Sequence, residues 1–286
     1  MKLCVPDYIL SLKPYVAGKP LEELEREYGI SDAIKLASNE NPLGPSPLAI
    51  KALRQAVNEL HRYPNGGSYH LCERISKHFG VEKESIVLGN GSDDIIAMLT
   101  RVLLQPGDEA VLPRPSFSFY EIMIRCSGAI PVEVPLKNGR IDLDGMLACV
   151  GSGTRLVFLT NPHNPTGALI AKPALDDFVA ALPADVVLVL DEAYIEFVRE
   201  PNCPRSIDYL DAGKLVVGLR TFSKAYGLAG LRIGYGLMPS FLADLLNRVR
   251  QPFNVNSLAQ AAAIAAFDDE KFLIDTIKLV ADELDF

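Results

Sequence analysis

Lys224 lies within Arg220-Thr221-Phe222-Ser223-Lys224-Ala225-Tyr226-Gly227-Leu228-Ala229-Gly230-Leu231-Arg232-Ile233-Gly234-Tyr235, among small and apolar residues just after an apolar run. A lysine amine in such surroundings holds its proton less tightly and becomes a nucleophile toward carbonyls. Thr221 and Ser223 flank it with hydroxyls. Arg232, past a glycine-rich turn, suits a phosphate. The bland alternative is a surface lysine with a stray arginine, and the spacing argues against it.

Three further stretches carry groups of the same kind. Asp191-Glu192-Ala193-Tyr194 ends the run Val186–Leu190. A carboxylate at the end of a buried strand is costly unless paired, and a cationic ring nitrogen would pair it. Tyr194 can offer its hydroxyl to the same ligand. The alternative is an Asp cap beside a core tyrosine. Asn161-Pro162-His163-Asn164-Pro165-Thr166-Gly167 follows Arg155–Thr160. Its two Asn-Pro pairs make a rigid turn from which Asn164 can donate to a ligand oxygen. Otherwise it is a loop rich in turn formers. His163, a lone histidine in that turn, is expected to face solvent. Gly89-Asn90-Gly91-Ser92-Asp93-Asp94 joins a strand to a helix, whose first N–H groups suit an anion. It is neither a Walker A loop nor a dinucleotide fingerprint, and a simple capped turn is the alternative.

Together the four stretches describe one ligand. It has an aldehyde for Lys224, a cationic nitrogen for Asp191 and a phenolic oxygen for Tyr194 and Asn164. It also has a phosphate for Gly91–Asp93, Thr221 or Ser223, and Arg232. Pyridoxal phosphate has all four groups.

These residues must be held at the carboxyl ends of strands, where open α/β sheets bind ligands. Candidate strands are Ser85–Leu88, Glu109–Leu112, Ile130–Val134, Arg155–Thr160, Val186–Leu190 and Leu215–Leu219. Several are continuous apolar runs, as in strands buried on both faces. Helical patterns at Asp93–Leu104, Phe117–Ser127 and Lys172–Leu182 alternate with them. The pattern predicts an α/β fold, a mostly parallel sheet with helices on both faces. In the first 45 residues prolines interrupt the chain and only Leu21–Tyr28 looks helical. Pro47–His61 reads as an amphipathic helix, and Leu258–Phe267 and Lys271–Leu284 as two more, with Asp268-Asp269 able to cap the last.

The 286 residues suit one large domain or two modest ones. A hydrophobic share of 49% and a charged share of 22% are those of a globular protein, not a disordered one. No apolar run reaches the ~20 residues of a membrane span, and the N-terminus lacks a signal-peptide pattern. With 36 acidic against 28 basic residues and no basic run, nucleic acid is not an expected partner. The five cysteines are scattered without CxxC spacing, so neither a disulfide framework nor a metal site is expected and a reducing cytoplasm is.

The motifs, in this order and spacing, resemble the fold-type-I pyridoxal-phosphate aminotransferases from about Tyr15 onward. Leu36-Ala37-Ser38-Asn39-Glu40-Asn41-Pro42-Leu43-Gly44-Pro45, His61-Arg62-Tyr63-Pro64 and Arg220–Tyr235 are similar to the histidinol-phosphate branch of that family. The resemblance implies a Schiff base on Lys224, which also moves the proton at the substrate carbon. It implies that Asp191 pairs with the ring nitrogen and that Tyr194 and Asn164 bond the ring oxygen. Ser92, with the backbone of Gly91–Asp93, would hold the phosphate together with Ser223, Thr221 and Arg232. Tyr120, in Pro115-Ser116-Phe117-Ser118-Phe119-Tyr120, would stack on the ring; on chemistry alone it reads as core. Tyr63 would reach the phosphate of a neighbouring subunit, implying a homodimer. Asn39 and Glu40 would border the substrate pocket.

The activity implied is amino transfer between L-histidinol phosphate and 2-oxoglutarate. The rivals are an aromatic amino acid aminotransferase of the same branch and a cofactor-binding chain without turnover. The last rests on the small C-terminal domain that the family carries, with its substrate-gripping arginine. Here no arginine follows Arg250, and the sequence reaches Phe286 inside what resembles that domain's first long helix. The expected division is an arm over 1–36, a cofactor domain over 37–267 and the start of a small domain over 268–286.

Overall fold

The computed structural model describes residues 3–15, 18–210 and 213–286; within the N-terminal arm, Met1, Lys2, Val16 and Ala17 lie outside the described residues. Seven strands form one mixed sheet in the order β1-β7-β6-β5-β4-β2-β3. They are β1 (Ile86–Gly89), β2 (Glu109–Arg114), β3 (Ile130–Pro135), β4 (Thr154–Thr160), β5 (Val187–Asp191), β6 (Val216–Thr221) and β7 (Gly234–Leu237). The β3-β2-β4-β5-β6 stretch is parallel, and β7 runs antiparallel between β6 and β1. Because β7 reverses direction, β1 points the same way as β6. The carboxyl ends of β1, β4, β5 and β6 therefore open on one edge.

The six expected strands are present within a residue or two. The seventh, Gly-Tyr-Gly-Leu, is too short and glycine-rich to show as a strand. Its glycine at 234 is a spatial requirement: a Cβ there would come within 2.5 Å of the Ser92 backbone nitrogen.

Alternate residues of the buried strands face two helical layers, as period-two geometry demands. One layer comprises α5 (Ser92–Leu103), α6 (Ser118–Cys126) and α9 (Ser240–Val249), packed on Val87, Leu156, Phe158, Val189 and Leu219. On the other face α7 (Leu143–Ala148) and α8 (Lys172–Ala181) cover Val157, Leu159, Leu188 and Leu190. Beside them α3 (Pro47–Ala56), α4 (Tyr69–Phe79) and α10 (Ser257–Phe267) cover Leu88, Tyr235 and Leu237.

Helix α3 starts where Ser46 accepts from the Ala49 N–H, and it ends earlier than expected, in a 3-10 turn at Val57–Glu59. Helices α4, α7 and α9 were not legible in the apolar periodicity. The arm carries α1 (Asp7–Leu10) as well as α2 (Leu21–Tyr28), and no described residue before Ser46 is buried. Helix α11 (Glu270–Leu284) is capped by Asp269, which accepts from the Phe272 N–H. Asp269 also accepts from the Ser46 hydroxyl at 2.6 Å, and Asn41 donates to the buried Thr276 hydroxyl at 3.2 Å. Those bonds tie the last helix to the segment entering α3.

Candidate active site

The strand ends meet at a cavity of about 440 Å³ lined by Lys224, Asp191, Tyr194, Asn164, Thr221, Ser223, Ser92, Asp93 and Arg232. Nine residues picked out from four separate stretches of sequence thus share one space.

Each polar group arrives by its own route. Asp191 is the last residue of β5, 5% exposed. Its Oδ1 accepts from the Ala193 N–H at 3.1 Å and its Oδ2 from the Tyr120 hydroxyl at 2.5 Å. Burial raises its carboxyl to about 6 even though those two donors pull the other way. Lys224 follows β6 by three residues and is half-buried; its Nζ donates to the Ser38 carbonyl at 2.8 Å. Burial lowers its pKa, while the Glu40 carboxylate works the other way. The Lys224 amine also lies 5.7 Å from the centre of the Tyr194 ring. The Tyr194 hydroxyl accepts from Asn39 Nδ2 at 2.9 Å, and burial raises its pKa.

The opposite end of the cavity is built for an anion. Helix α5 begins at Ser92 with no side chain capping it, so its first N–H groups point outward. Arg232, in the left-handed region at φ 55°, brings its guanidinium to that helix end. Its Nη2 donates to Asp93 at 3.1 Å. At Gly91, φ 84°, a Cβ would come within 2.5 Å of Arg232 Nη2, so only glycine lets the arginine in.

Tyr120 and His163 sit deeper than the sequence led us to expect. Tyr120 lines the cavity from beneath. It is fully buried and stacked on Phe158, with centroids 4.7 Å apart and planes at 18°, and its hydroxyl meets Asp191. Phe117, three residues earlier in the same run, also lines the cavity. The difference in depth follows from helix geometry: Tyr120 lies in the first turn of α6 and turns toward the sheet, whereas Phe117 precedes the helix. His163 is 2% exposed rather than facing solvent, with Nδ1 3.0 Å from the Thr166 hydroxyl. Tyr63 is 82% exposed, stacked on Phe253 and outside the cavity. Asn39 and Glu40 do border it, together with Ser38, whose carbonyl contact to Lys224 had no sequence signal. A second, more apolar cavity of about 550 Å³ adjoins it between Asn164, Lys224 and helix α11.

The residues fit pyridoxal phosphate. An amine whose pKa burial lowers, a buried carboxylate with no bonded cation among the described residues, and a helix end with a guanidinium occupy one polar cavity. No group of three or more His, Cys, Asp or Glu suited to a metal occurs among the described residues.

Comparisons with known proteins agree with this geometry. The family described as aminotransferase class I and II matches residues 31–284. Histidinol-phosphate aminotransferase of Moorella thermoacetica is 52% identical over 264 residues, covering 92% of this chain and 68% of that protein. Histidinol-phosphate aminotransferase of Desulfotalea psychrophila is 48% identical over 281 residues, covering 97% of this chain and 74% of that protein. The crystal structure of histidinol-phosphate aminotransferase from Sinorhizobium meliloti in complex with pyridoxal-5'-phosphate superposes with a TM-score of 0.89 at 34% identity, covering 96% of this chain and 74% of that one. The chain therefore belongs to the histidinol-phosphate aminotransferase family of class I and II, pyridoxal-phosphate-dependent aminotransferases.

Proposed function

We propose that this chain transfers an amino group between L-histidinol phosphate and 2-oxoglutarate, with pyridoxal phosphate held on Lys224. The observation that carries the reading is the convergence of the Lys224 amine, the Asp191 carboxylate and the Arg232–α5 anion site in one cavity. When bound, the cofactor supplies an electron sink that delocalises the charge left when a Cα proton is removed.

The protein's own groups do the rest. Lys224 would hold the cofactor through its amine, and that same amine would carry the proton from and to the substrate carbon. Desolvation favours its neutral, nucleophilic form. Asp191 balances a cationic ring nitrogen. Tyr194 and Asn164 bond the ring oxygen, and Phe117 offers an aromatic face. Arg232, the Thr221 and Ser223 hydroxyls, and the N–H groups of Gly91–Asp93 hold the phosphate, with Ser92 adding its hydroxyl. Asn39 and Glu40 border the substrate.

Further parts of the reading rest on the surface and the sequence. A homodimer in which Tyr63 serves a neighbouring subunit's phosphate is supported by the exposure of that ring, 82%, on a segment outside its own cavity. No helix is long and apolar enough to cross a membrane among the described residues, and all five cysteines are unpaired, which suits the cytoplasm. The division into an arm over 1–36, a cofactor domain over 37–267 and the start of a small domain over 268–286 suits the first buried residue at Ser46 and the separate helix α11.

The test is an assay of the purified chain with added pyridoxal phosphate. Histidinol phosphate and, in parallel, phenylalanine serve as donors to 2-oxoglutarate. Glutamate formation with histidinol phosphate as the preferred donor is expected. Preference for phenylalanine, or cofactor binding with no turnover, overturns it.

A further inference from the structure

A hydrogen-bonded chain under the cavity has no part in the roles above. The Tyr120 ring is pinned by its stack on Phe158 and meets Phe117 edge-on, with centroids 5.4 Å apart and planes at 88°. Its hydroxyl therefore has a fixed place, 2.5 Å from Asp191 Oδ2 and 3.1 Å from Thr160 Oγ1. Thr160 and Asp191 are register partners on the adjacent parallel strands β4 and β5, which sets their side chains on one face. The direction of the protons is forced. An ionised carboxylate only accepts, and a phenol has one proton to give. Tyr120 thus donates to Asp191, and Thr160 donates to Tyr120. Each bond in such a chain polarises the next.

We propose that Tyr120, backed by Thr160, is a positioning residue that keeps Asp191 ionised and aimed at the cofactor's ring nitrogen; this rests on the role given to Asp191 above. Asp191 needs that help. Burial favours its neutral form, and Asp93 from α5 and Glu192, the residue just after β5, push the same way. Tyr194, from the turn after β5, also faces it, while Lys224, from the loop after β6, brings a positive charge that favours the ionised form. Among the described residues, the Tyr120 hydroxyl and the Ala193 N–H are the groups that donate hydrogen bonds to the carboxylate. Without the phenol one backbone donor remains, and the proton stays on Asp191 near neutral pH. A neutral Asp191 cannot balance a cationic nitrogen.

Tyr120→Phe removes the hydroxyl and keeps the stacked ring. The infrared carbonyl band of the protonated Asp191 carboxyl, isolated by subtracting the Asp191→Asn spectrum, is followed against pH. The full chain is used, before and after adding pyridoxal phosphate. In Tyr120→Phe the midpoint is expected to rise by about 1–2 pH units, the size of one hydrogen bond to a charged group. Thr160→Val should raise it by a smaller amount. The acid limb of the pH–rate profile should move up with it. A folded Tyr120→Phe protein that is less stable but has an unmoved midpoint marks a packing role and overturns the proposal. If Tyr120→Phe does not fold, an unmoved midpoint in Thr160→Val overturns it instead. The band needs no turnover, so a shifted midpoint in a chain inactive with histidinol phosphate would sink the proposed activity alone.

Discussion

Asp191 and Glu192 are consecutive, both buried, and satisfied in opposite ways. Successive residues at a strand end face opposite sides of the sheet. On the cavity side, Asp191 receives two donors that carry no full charge, the Tyr120 hydroxyl and the Ala193 N–H. On the far side, Glu192 accepts from Arg220 Nε at 2.6 Å, the Ser206 N–H at 2.6 Å and the Ser206 hydroxyl at 2.7 Å. Arg220 also lies 3.7 Å from Glu196 and 5.3 Å from the centre of the Phe79 ring. A buried charge already matched by a protein cation holds the strands together and has nothing left to offer. One held only by neutral donors keeps its charge available to a ligand.

Four substitutions test the contrast between the two sides. The largest effect is expected at Lys224→Ala, which should abolish turnover and prevent covalent trapping of the cofactor by borohydride, read by mass spectrometry. Next comes Asp191→Asn, with turnover falling about 10²–10⁴-fold, the range for a group engaged in proton chemistry. Its stability should move the other way. Burial makes the folded chain hold the Asp191 proton more tightly than the unfolded chain does. Stability tied to that proton is present at low pH and is lost as pH climbs through about 6. Asp191→Asn escapes that loss, so the cofactor-free variant should gain about 1–3 kcal/mol above that pH in urea unfolding. Glu192→Gln should do the reverse, losing about 3–5 kcal/mol because the buried Arg220 loses the carboxylate bonded to its Nε, with Glu196 farther off at 3.7 Å. Equal stability losses at the two positions would end the contrast. A smaller effect is expected at Arg232→Gln: cofactor affinity weaker by about 10–100-fold in equilibrium dialysis, from loss of one charge-assisted contact, with stability nearly unchanged because its Asp93 pair is part-exposed.

The central strands and the helices between them were legible because burial on both faces writes continuous apolar runs such as Leu-Val-Phe-Leu in β4. The lysine, the β5 aspartate and the Gly91–Asp93 turn were legible because each follows such a run. What was not legible depended on contacts distant in sequence. Strand β7 is short and glycine-rich because its neighbour is the β1–α5 turn. His163 reads as a turn residue, yet the surrounding loops bury it. Tyr120 and Phe117 share one aromatic run. How deep each ring sits and which hydroxyl reaches Asp191 depend on where α6 begins and on Phe158 from β4.

The sequence by itself determined the chemical inventory and the order of strands along the chain. Residue type fixes nucleophilicity, charge and donor count, and local periodicity fixes strand or helix. Only the tertiary structure decided which of two adjacent acids faces a ligand and which faces Arg220. It also decided that Tyr120 is buried with its hydroxyl on Asp191. The reason is physical: burial and partner choice are set by neighbours brought together across the sheet.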